Sequence, residues 1–375
     1  MRPLSGIKQT CNMADITDKF FELIQISIGN KEKFEQPPSE KEWGMLFQLS
    51  CKQSLASVTL DGVNRITERD CSLKPPMGIL YEWISIQQHT ISENNLQNQR
   101  TKELCEIFKK AGFQSCLLKG QGTALYYERP EYRQCGDIDI WVKGDRDEIL
   151  DFARKNGYHI GHIDIKHSDI DFFKDVPVEV HFLPSWMYNP ATNKKLQKFF
   201  DEQSEQQFGN NDAEIGFTHT TVDFDLVFSI VHIYRHIFSE GIGLRQLMDY
   251  YYILLHSTEE QQKCAFSLLK GMRMEAFVGG IMWILKDKFG MKEQFMLCPA
   301  NKKHGTFLLS EILTAGNFGQ YDNRRTERGN KGKFRYGFIQ FRKNLRFVCY
   351  YPSEVLWSPI WKTWHYFWRR RKGYL

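Results

Sequence analysis

The stretch LLKGQGTALYYERPEYRQCGDIDIWV, residues 117–142, decides the fold of this chain. It contains two apolar segments, and the second carries Asp137 and Asp139 at alternate positions. Successive side chains of a strand point to opposite faces, so these two carboxylates share one face, about 6.6 Å apart along the strand. Strands rarely contain Asp, and burial of an uncompensated carboxylate costs several kcal/mol. The pattern therefore predicts that a cation meets this pair.

A third carboxylate, Glu179, lies in the later segment VPVEVHF (176–182), flanked by two valines of a predicted strand. Paired carboxylates suit a hard divalent cation such as Mg²⁺ or Mn²⁺, which completes its shell with water and phosphate oxygens. A third carboxylate would allow two metal ions about 3.5–4 Å apart. We therefore predict a metal site at Asp137, Asp139 and Glu179. His181 shares the strand face of Glu179 and is a secondary candidate, with an ordinary strand histidine as the alternative.

The first half of the stretch supplies groups that bind phosphate. A strand that ends in Lys119 and Gly120 and continues into a helical turn places backbone N–H groups at one spot, and Lys119 adds a positive charge. Arg133, four residues before Asp137, is a second candidate phosphate contact. For Lys119, a solvated loop charge is the alternative. The predicted nucleotide-binding residues are Lys119, Gly120, Gln121, Arg133 and Gly136.

Two other polar pairs resemble metal sites but have simpler interpretations. Asp169 and Asp171 form a second D-x-D, which we interpret as surface charge on a hairpin because no glycine-bearing phosphate loop precedes it. His232 and His236 are four residues apart on a predicted helix, a spacing that can bind zinc. Since no third ligand is evident in the sequence, we interpret them as core or interface histidines.

The periodicity of the chain predicts an α+β fold. Residues before the opening stretch and residues after Asp223 show helical periodicity. Between them, the strands FQSCLL and IDIWV are followed by DIDFFKDVPVEVHF, a hairpin that turns near Asp175. We predict a helical segment, a small mixed-sheet domain, a second helical domain, and a linker with a basic aromatic tail. Their predicted ranges are 1–98, 99–190, 191–317 and 318–375.

Composition indicates a globular protein of the cytoplasm. Of the 375 residues, 42% are hydrophobic and 25% are charged, which is ordinary for a water-soluble fold. No apolar run approaches the about 18 residues of a membrane span, and the N-terminus lacks the apolar core of a secretory signal. Nine cysteines without a C-x-x-C pair favour reduced thiols over a disulfide scaffold or a zinc cage. Met13 opens a capped-helix pattern and is an alternative start to Met1.

Positive charge is concentrated at the C-terminal end. The net charge is +5, but residues 331–375 contain eleven Lys and Arg against one acid, so the remainder carries −5. Three interpretations stay open: contact with the inner membrane surface, contact with nucleic acid, or aromatic residues docked on the helical domain with solvated cations. The tail also carries tryptophans near helical spacing and a terminal cationic run: Trp357, Trp361, Trp364, Trp368, Arg369, Arg370, Arg371 and Lys372.

The order of the motifs resembles the nucleotidyltransferase superfamily of the DNA polymerase β type, and within it a bacterial group of uncharacterised nucleotidyltransferases. The resemblance covers about residues 40–300 and is tight only at 113–142 and 176–183. It implies a nucleotidyltransferase palm between the helical segments, and transfer of an NMP, expected from ATP, to an acceptor with release of pyrophosphate. The motifs in this chain are LLKG (117–120), RQCGDIDIWV (133–142) and VEVHF (178–182).

The resemblance also implies roles for individual residues. Asp137 and Asp139 would hold Mg²⁺ at the triphosphate, and Glu179 would complete the metal site or act as the base for the acceptor. Gly120 and the backbone at Gln121 would cradle phosphates. One position departs from the superfamily pattern, because Gln121 stands where a small residue normally lets phosphate approach the loop. This departure bears on triphosphate binding.

Two hypotheses about function remain open. An intact set of three carboxylates favours an active nucleotidyltransferase, whereas Gln121 favours an inactive relative that serves as a nucleotide-binding or membrane-surface scaffold. Arg245 and Asp249, four residues apart on a predicted helix, most simply form a salt bridge. The resemblance makes them secondary candidates for a contact with the nucleotide or acceptor. The acceptor itself stays open among a small molecule, a sugar, a protein and RNA.

Overall fold

The computed structural model describes residues 13–212, 214–320, 339 and 341–374. The predicted upstream extension, residues 1–12, lies outside these ranges, and so does the predicted linker from residue 321 onward. The described elements combine a small sheet with helical segments before and after it. The predicted α+β class is therefore confirmed. The predicted domain boundaries stay a prediction.

The sheet is mixed, with strand order β1-β2-β5-β4-β3. Strands β2 and β5 run parallel to each other, and the other neighbours run antiparallel. The predicted hairpin is present as β4 and β5, whereas the hairpin of β3 and β4 was not predicted. A separate two-stranded ribbon follows the sheet. The strands are β1 (Ser115–Leu117), β2 (Ile138–Val142), β3 (Ile160–Ile163), β4 (His167–Ile170), β5 (Val178–His181), β6 (Asn211–Asp212) and β7 (Phe217–Thr218).

Helices make up most of the remaining described chain. Four precede the sheet: α1 (Met13–Ser27), α2 (Glu40–Lys52), α3 (Ala56–Arg69) and α4 (Met77–Lys110). Three accompany the sheet: α5 (Gln121–Ala124), α6 (Arg146–Lys155) and α7 (Pro190–Gly209). The helices that follow it include α8 (Val222–Ser239), α9 (Leu244–Leu255), α10 (Glu259–Gly271), α11 (Glu275–Phe289), α12 (Lys302–Ala315) and α13 (Pro352–Lys372). The backbone N–H of Ser39 donates to Glu42 at 2.7 Å, so Ser39 is the N-cap of α2.

Two hydrophobic cores hold these elements together. The first joins α1–α3 to α8–α12, so helices from both parts of the chain share one interior. The second fills the space between the sheet and its helices, where Ile140 is fully buried. Helix α4 belongs to both, with Trp83 in the first core and Phe108 in the second. The sheet is thereby fixed against the helical part.

Candidate active site

The three predicted metal ligands meet where β2 and β5 lie side by side. The parallel register places Asp139 opposite Glu179, and Asp137 immediately precedes β2. Carboxylate oxygens of the three residues all lie within 4.8 Å of one another. The structure therefore brings together the two aspartates and the isolated strand glutamate that the sequence selected.

Lys119 and His181 meet the most deeply buried of these carboxylates. Lys119 Nζ lies 2.9 Å from Oδ2 of Asp139, and His181 Nε2 lies 3.0 Å from Oδ1. Asp139 is only 1% exposed. Burial alone would raise the pKa of Asp139, but the charge of Lys119 and the hydrogen bond with His181 hold it below its usual value. The chain itself thus supplies part of the cationic environment that the buried carboxylate requires.

Negative charge nevertheless exceeds positive charge in this cluster. The charge of Asp139 raises the pKa of Asp137 above its usual value. Burial alone would lower the pKa of Lys119, but the three carboxylates raise it instead. Three carboxylates and one ammonium leave two negative charges uncompensated, which is the charge that one Mg²⁺ or Mn²⁺ would balance. Carboxylate oxygens are the ligands these ions prefer, so the residues present fit such an ion.

His167 joins the cluster, although the sequence analysis did not single it out. The antiparallel register of β4 and β5 places His167 opposite His181. His167 Nδ1 lies 2.8 Å from Oε2 of Glu179, and His181 Nε2 lies 3.5 Å from the same oxygen. Burial alone would raise the pKa of Glu179, but the two histidines hold it below its usual value. The two histidines are nearly equidistant from the predicted turn at Asp175, and this symmetry could have indicated their pairing.

Polar side chains of α4 hold the loop that leads into β2. Asn94 Nδ2 donates to the carbonyls of Glu131 at 3.0 Å and Arg133 at 2.9 Å, and Gln97 Nε2 donates to the carbonyl of Gly136. These bonds fix the backbone that delivers Asp137. The helical periodicity of this region did not single out its buried polar positions, which are spaced alternately by three and four: Gln87, Thr90, Asn94, Gln97 and Thr101.

Gln121 bonds to α4 and does not face the carboxylates. Its Nε2 donates to Asn98 Oδ1 at 2.9 Å and to the carbonyl of Asn94 at 3.2 Å. Gly120, just before it, has a φ of 68°, a left-handed conformation that glycine adopts without strain. The side chain that departs from the superfamily pattern is therefore part of the packing between this loop and α4.

A first cavity beside the aspartates contains most of the other predicted residues. Arg133 donates to both carboxylate oxygens of Asp249, at 2.8 and 2.9 Å, and Tyr127 donates to the same group at 2.6 Å. Asp249 thus has a bidentate partner from the loop before β2, which the spacing of Arg245 and Asp249 did not indicate. The predicted residues that line this cavity are Lys119, Gly120, Arg133, Gly136, Asp137, Asp139, Arg245 and Asp249.

Arg245 reaches the same loop by a different route. Its Nη1 donates to the carbonyl of Gln134 at 2.7 Å and contacts that of Cys135 at 3.3 Å. Both arginines are buried, with Arg133 4% and Arg245 7% exposed. Together they place two guanidinium groups on the wall of the first cavity, beside Asp137.

A second cavity, of about 390 Å³, opens on the other side of the aspartates. It shares Lys119, Asp137, Asp139 and His232 with the first cavity, so the carboxylates lie at the junction of the two. Five of the eleven histidines line it, including the helical pair that the sequence analysis assigned to a core or interface. These histidines, with the aromatic residues of the wall, are His162, His167, His181, His232, His236, Trp186, Tyr188 and Trp361.

Comparison with known protein families gives a match. A family model described as uncharacterised nucleotidyltransferase matches residues 39–290, about two thirds of the chain. The chain belongs to this nucleotidyltransferase family. A search of curated proteins finds no match. The matched part of this nucleotidyltransferase begins at the N-cap of α2 and ends just after α11, so it contains the sheet and the three carboxylates.

Helix α13 lies outside the matched part and packs against it through Glu354, Trp361 and His365. Glu354 is buried and accepts hydrogen bonds from the backbone N–H groups of Tyr188 at 2.9 Å and Asn189 at 3.2 Å. Further along the helix, His365 Nε2 lies 3.0 Å from Oδ1 of Asp164. The ring of Trp361, on the same side, completes a wall of the second cavity.

The opposite side of α13 is apolar and faces solvent. Arg370 and Arg371 follow this side and are also exposed. Of the predicted tail aromatics, Trp361 packs 5.2 Å from the Tyr188 ring, and Trp368 lies under the Arg146 guanidinium at 4.9 Å. In the described part of the chain, we find no helix with the length and apolar character needed to cross a membrane. The exposed apolar residues of α13 are Leu356, Trp357, Ile360, Trp364 and Phe367.

Proposed function

We propose that this protein is an active, metal-dependent nucleotidyltransferase that transfers an NMP from ATP to an acceptor hydroxyl and releases pyrophosphate. One observation carries this proposal: Asp137, Asp139 and Glu179 converge at the junction of two cavities. A transferase must hold two substrates on either side of the reacting phosphorus. A scaffold that only binds a nucleotide needs neither the second cavity nor the third carboxylate.

The three carboxylates would hold Mg²⁺, or Mn²⁺ in its place. When bound, such an ion neutralises charge on the triphosphate and on the transition state. His181 orients Asp139 through Oδ1, which leaves the other carboxylate oxygen toward Lys119. With an ion bound, Lys119 would have a partner among the phosphate oxygens, where a compact ammonium is a suitable ligand.

The first cavity is the proposed nucleotide side. The guanidinium groups of Arg133 and Arg245 line it and can donate hydrogen bonds to phosphate oxygens. Gly120 and Gly136 line it with backbone alone, so a phosphate can approach closely there. Asp249 holds Arg133 in place by two hydrogen bonds, which makes Asp249 a positioning residue.

The second cavity is the proposed acceptor side. The acceptor oxygen attacks the α-phosphorus while the bond from that phosphorus to the pyrophosphate oxygen breaks. Glu179 and His167 face this cavity and are the groups toward which the acceptor proton would move. The aromatic wall of Trp186, Tyr188 and Trp361 would then contact the acceptor.

Calorimetric titration with each of the four NTPs and Mg²⁺ tests this proposal. We compare the wild type with Asp137→Asn/Asp139→Asn, and use Asp169→Asn/Asp171→Asn, the surface D-x-D, as the matched control. We expect Mg²⁺-dependent binding of ATP by the wild type and by the control, and a loss of at least about 100-fold in affinity in the first double variant. α-Labelled ATP and cell extract then identify the acceptor by transfer of the label.

Two results would contradict the proposal. If no NTP binds, or if binding is the same in Asp137→Asn/Asp139→Asn, the carboxylates are not a nucleotide–metal site. If ATP binds but no label is transferred to any component of the extract, the inactive scaffold is the better hypothesis. Thermal unfolding of both double variants checks that a loss of binding does not reflect a loss of fold.

We also propose that the protein works in the cytoplasm and contacts an anionic membrane surface through α13. The eight cysteines in the described ranges are unbridged, which supports a reducing compartment. Helix α13 packs inward with Glu354, His365 and Trp361 but also exposes a stripe of large apolar residues, which an ordinary surface helix does not. An outward apolar stripe that continues into Arg370 and Arg371 suits the boundary between lipid headgroups and acyl chains.

Sedimentation with vesicles tests this contact. We expect binding to phosphatidylglycerol–phosphatidylcholine vesicles, weakening with salt, and no binding to phosphatidylcholine alone. Trp364→Ala/Phe367→Ala should abolish binding, whereas the matched control Tyr81→Ala/Ile84→Ala, at exposed apolar residues of α4, should not. Equal loss in both variants, or binding to RNA oligonucleotides in place of vesicles, would contradict the membrane assignment.

A further inference from the structure

We infer that His167, Glu179 and His181 form a second metal site, which binds a transition-metal ion such as Zn²⁺ next to the three carboxylates. This site does not depend on the proposed reaction, since its two histidines are not ligands of the carboxylate site; the two sites share Glu179 and, as a fourth ligand, Asp139. Glu179 has two carboxylate oxygens and can therefore serve two neighbouring ions. The inference begins with the distances among the three side chains.

The ligand atoms are spaced as the ligands of one ion would be. His167 Nδ1 lies 2.8 Å and His181 Nε2 lies 3.5 Å from the same oxygen of Glu179. Bonds of about 2.0–2.1 Å from a metal place adjacent ligand atoms about 2.8–3.4 Å apart in octahedral or tetrahedral geometry, close to both distances. One ligand atom from each of the three residues lies within 4.8 Å of the others. Oδ1 of Asp139, 3.0 Å from His181 Nε2, is available as a fourth ligand.

His167 presents a buried nitrogen to the same oxygen of Glu179 that His181 approaches. Its Nδ1 lies 2.8 Å from that oxygen and, within the described part of the chain, has no other hydrogen-bond partner. An imidazole nitrogen and a carboxylate oxygen at this distance are placed to bind one ion together. His167 is held there by the register of β4 and β5.

The far side of His181 carries the second feature of a metal-binding histidine. Its Nδ1 lies 3.3 Å from the carbonyl oxygen of Leu183. Histidines that bind metal with one ring nitrogen commonly donate the other N–H to a carbonyl, which fixes the tautomer and the ring orientation. When an ion is bound, Nε2 would give up its hydrogen bond to Asp139 and present its lone pair to the ion, while Nδ1 keeps the proton.

The ligand set predicts the class of metal. Imidazole nitrogen favours Zn²⁺ and other late transition metals, whereas a carboxylate set favours Mg²⁺ or Mn²⁺. The two adjoining sites therefore differ in preference, and the histidine site lies on the wall of the proposed acceptor cavity. An ion there could be retained in the presence of excess Mg²⁺.

Equilibrium dialysis against Zn²⁺ with excess Mg²⁺, followed by elemental analysis, tests the inference. We expect one Zn²⁺ per chain in the wild type and in His159→Ala, the control at an exposed histidine of the same hairpin. His167→Ala should lose at least about tenfold in affinity. Co²⁺ substitution gives an independent readout, because its visible absorption changes when an imidazole ligand is lost.

The inference is overturned if the wild type binds no Zn²⁺, if Mg²⁺ displaces it, or if His167→Ala binds Zn²⁺ like the control. Thermal unfolding of metal-free His167→Ala checks the fold, and His181→Asn serves as a second ligand variant. Asp137→Asn should retain Zn²⁺ while it loses Mg²⁺-dependent ATP binding. If the wild type binds ATP but not Zn²⁺, this inference is rejected. If it binds Zn²⁺ but not ATP, the proposed function is rejected.

Discussion

The two D-x-D segments of this chain have the same local pattern but different surroundings. Asp139 in β2 and Asp169 in β4 are both register partners of Glu179, so the three acids form a row across the sheet. Asp139 is 1% exposed and has Lys119 at 2.9 Å. Asp169 is exposed, and Asp171 beside it pairs with the exposed His159 at 2.9 Å.

The difference shows that the segment before the strand decides the role of the pair. Strand β2 is buried along its whole length and adjoins the loop that carries Lys119. Strand β4 follows a short turn after β3 that contains no glycine. The exposure of Asp169 and Asp171 agrees with their interpretation as surface charge, although Asp169 also lines the second cavity.

The largest expected effect is a difference in unfolding free energy between variants at the two aspartate pairs. Lys119→Met leaves Asp139 buried without its cation, and we expect it to lower the free energy of unfolding by about 3–5 kcal/mol in chelator-treated buffer. Asp169→Asn should change it by less than about 0.5 kcal/mol. Urea unfolding of both variants provides the measurement. The double variant Lys119→Met/Asp139→Asn should regain much of the loss, and its failure to do so would contradict the pairing.

Asp225 is a buried carboxylate like Asp139, but its partners are hydroxyl groups. It tests how burial without a cation affects the pKa of a carboxylate and the stability of the fold. Asp225 accepts hydrogen bonds from Thr220 at 2.6 Å and Tyr126 at 2.9 Å, and burial raises its pKa to about 7. Because the folded chain keeps a proton that the unfolded chain releases, stability should fall by a few kcal/mol from about pH 4 to pH 7. The difference in unfolding free energy between wild type and Asp225→Asn, measured across this range, isolates the contribution.

The sign of that pH dependence distinguishes Asp225 from Asp139. The contribution of Asp225 is fully present below about pH 4 and is lost as the pH rises through 7. Asp139, whose pKa is held low, contributes stability that is lost only in acid. A pH profile of Asp225→Asn parallel to that of the wild type would show that Asp225 is ionised in the folded chain.

The smallest effect concerns the loop next to Lys119. Gln121→Ala removes its hydrogen bonds to Asn98 and the Asn94 carbonyl, and we expect a loss of about 1 kcal/mol in unfolding free energy. Affinity for ATP with Mg²⁺ should be unchanged, because the side chain is directed to α4. Calorimetry of this variant checks the prediction. A large change in affinity would mean that Gln121 contacts the triphosphate after all.

The fold class and the central carboxylates were predictable because their patterns are local. Apolar alternation around Asp137 and Asp139 identified β2, and a glutamate between two valines identified β5. The burial of each of these segments can be predicted from the pattern of about ten consecutive residues.

The remaining site residues could not be predicted because their partners are distant in sequence. Arg133 and Asp249 are 116 residues apart, and neither segment indicates the other. His167 became part of the cluster through a strand pairing whose register depends on the turn. Asn94 and Gln97 of α4 form hydrogen bonds with a loop that the helix meets in the folded chain, so their spacing alone did not indicate their partners.

The length of α4 has a consequence for how substrates enter and leave. This helix has 34 residues, so it extends for about 51 Å and runs unbroken through both cores. A hinge between the helical part and the sheet would have to bend it, at the cost of its internal hydrogen bonds. The two halves are thus expected to move as one rigid body. Access to the reacting atoms then depends on the mouths of the two cavities, and Trp361 of α13 lines the second of them.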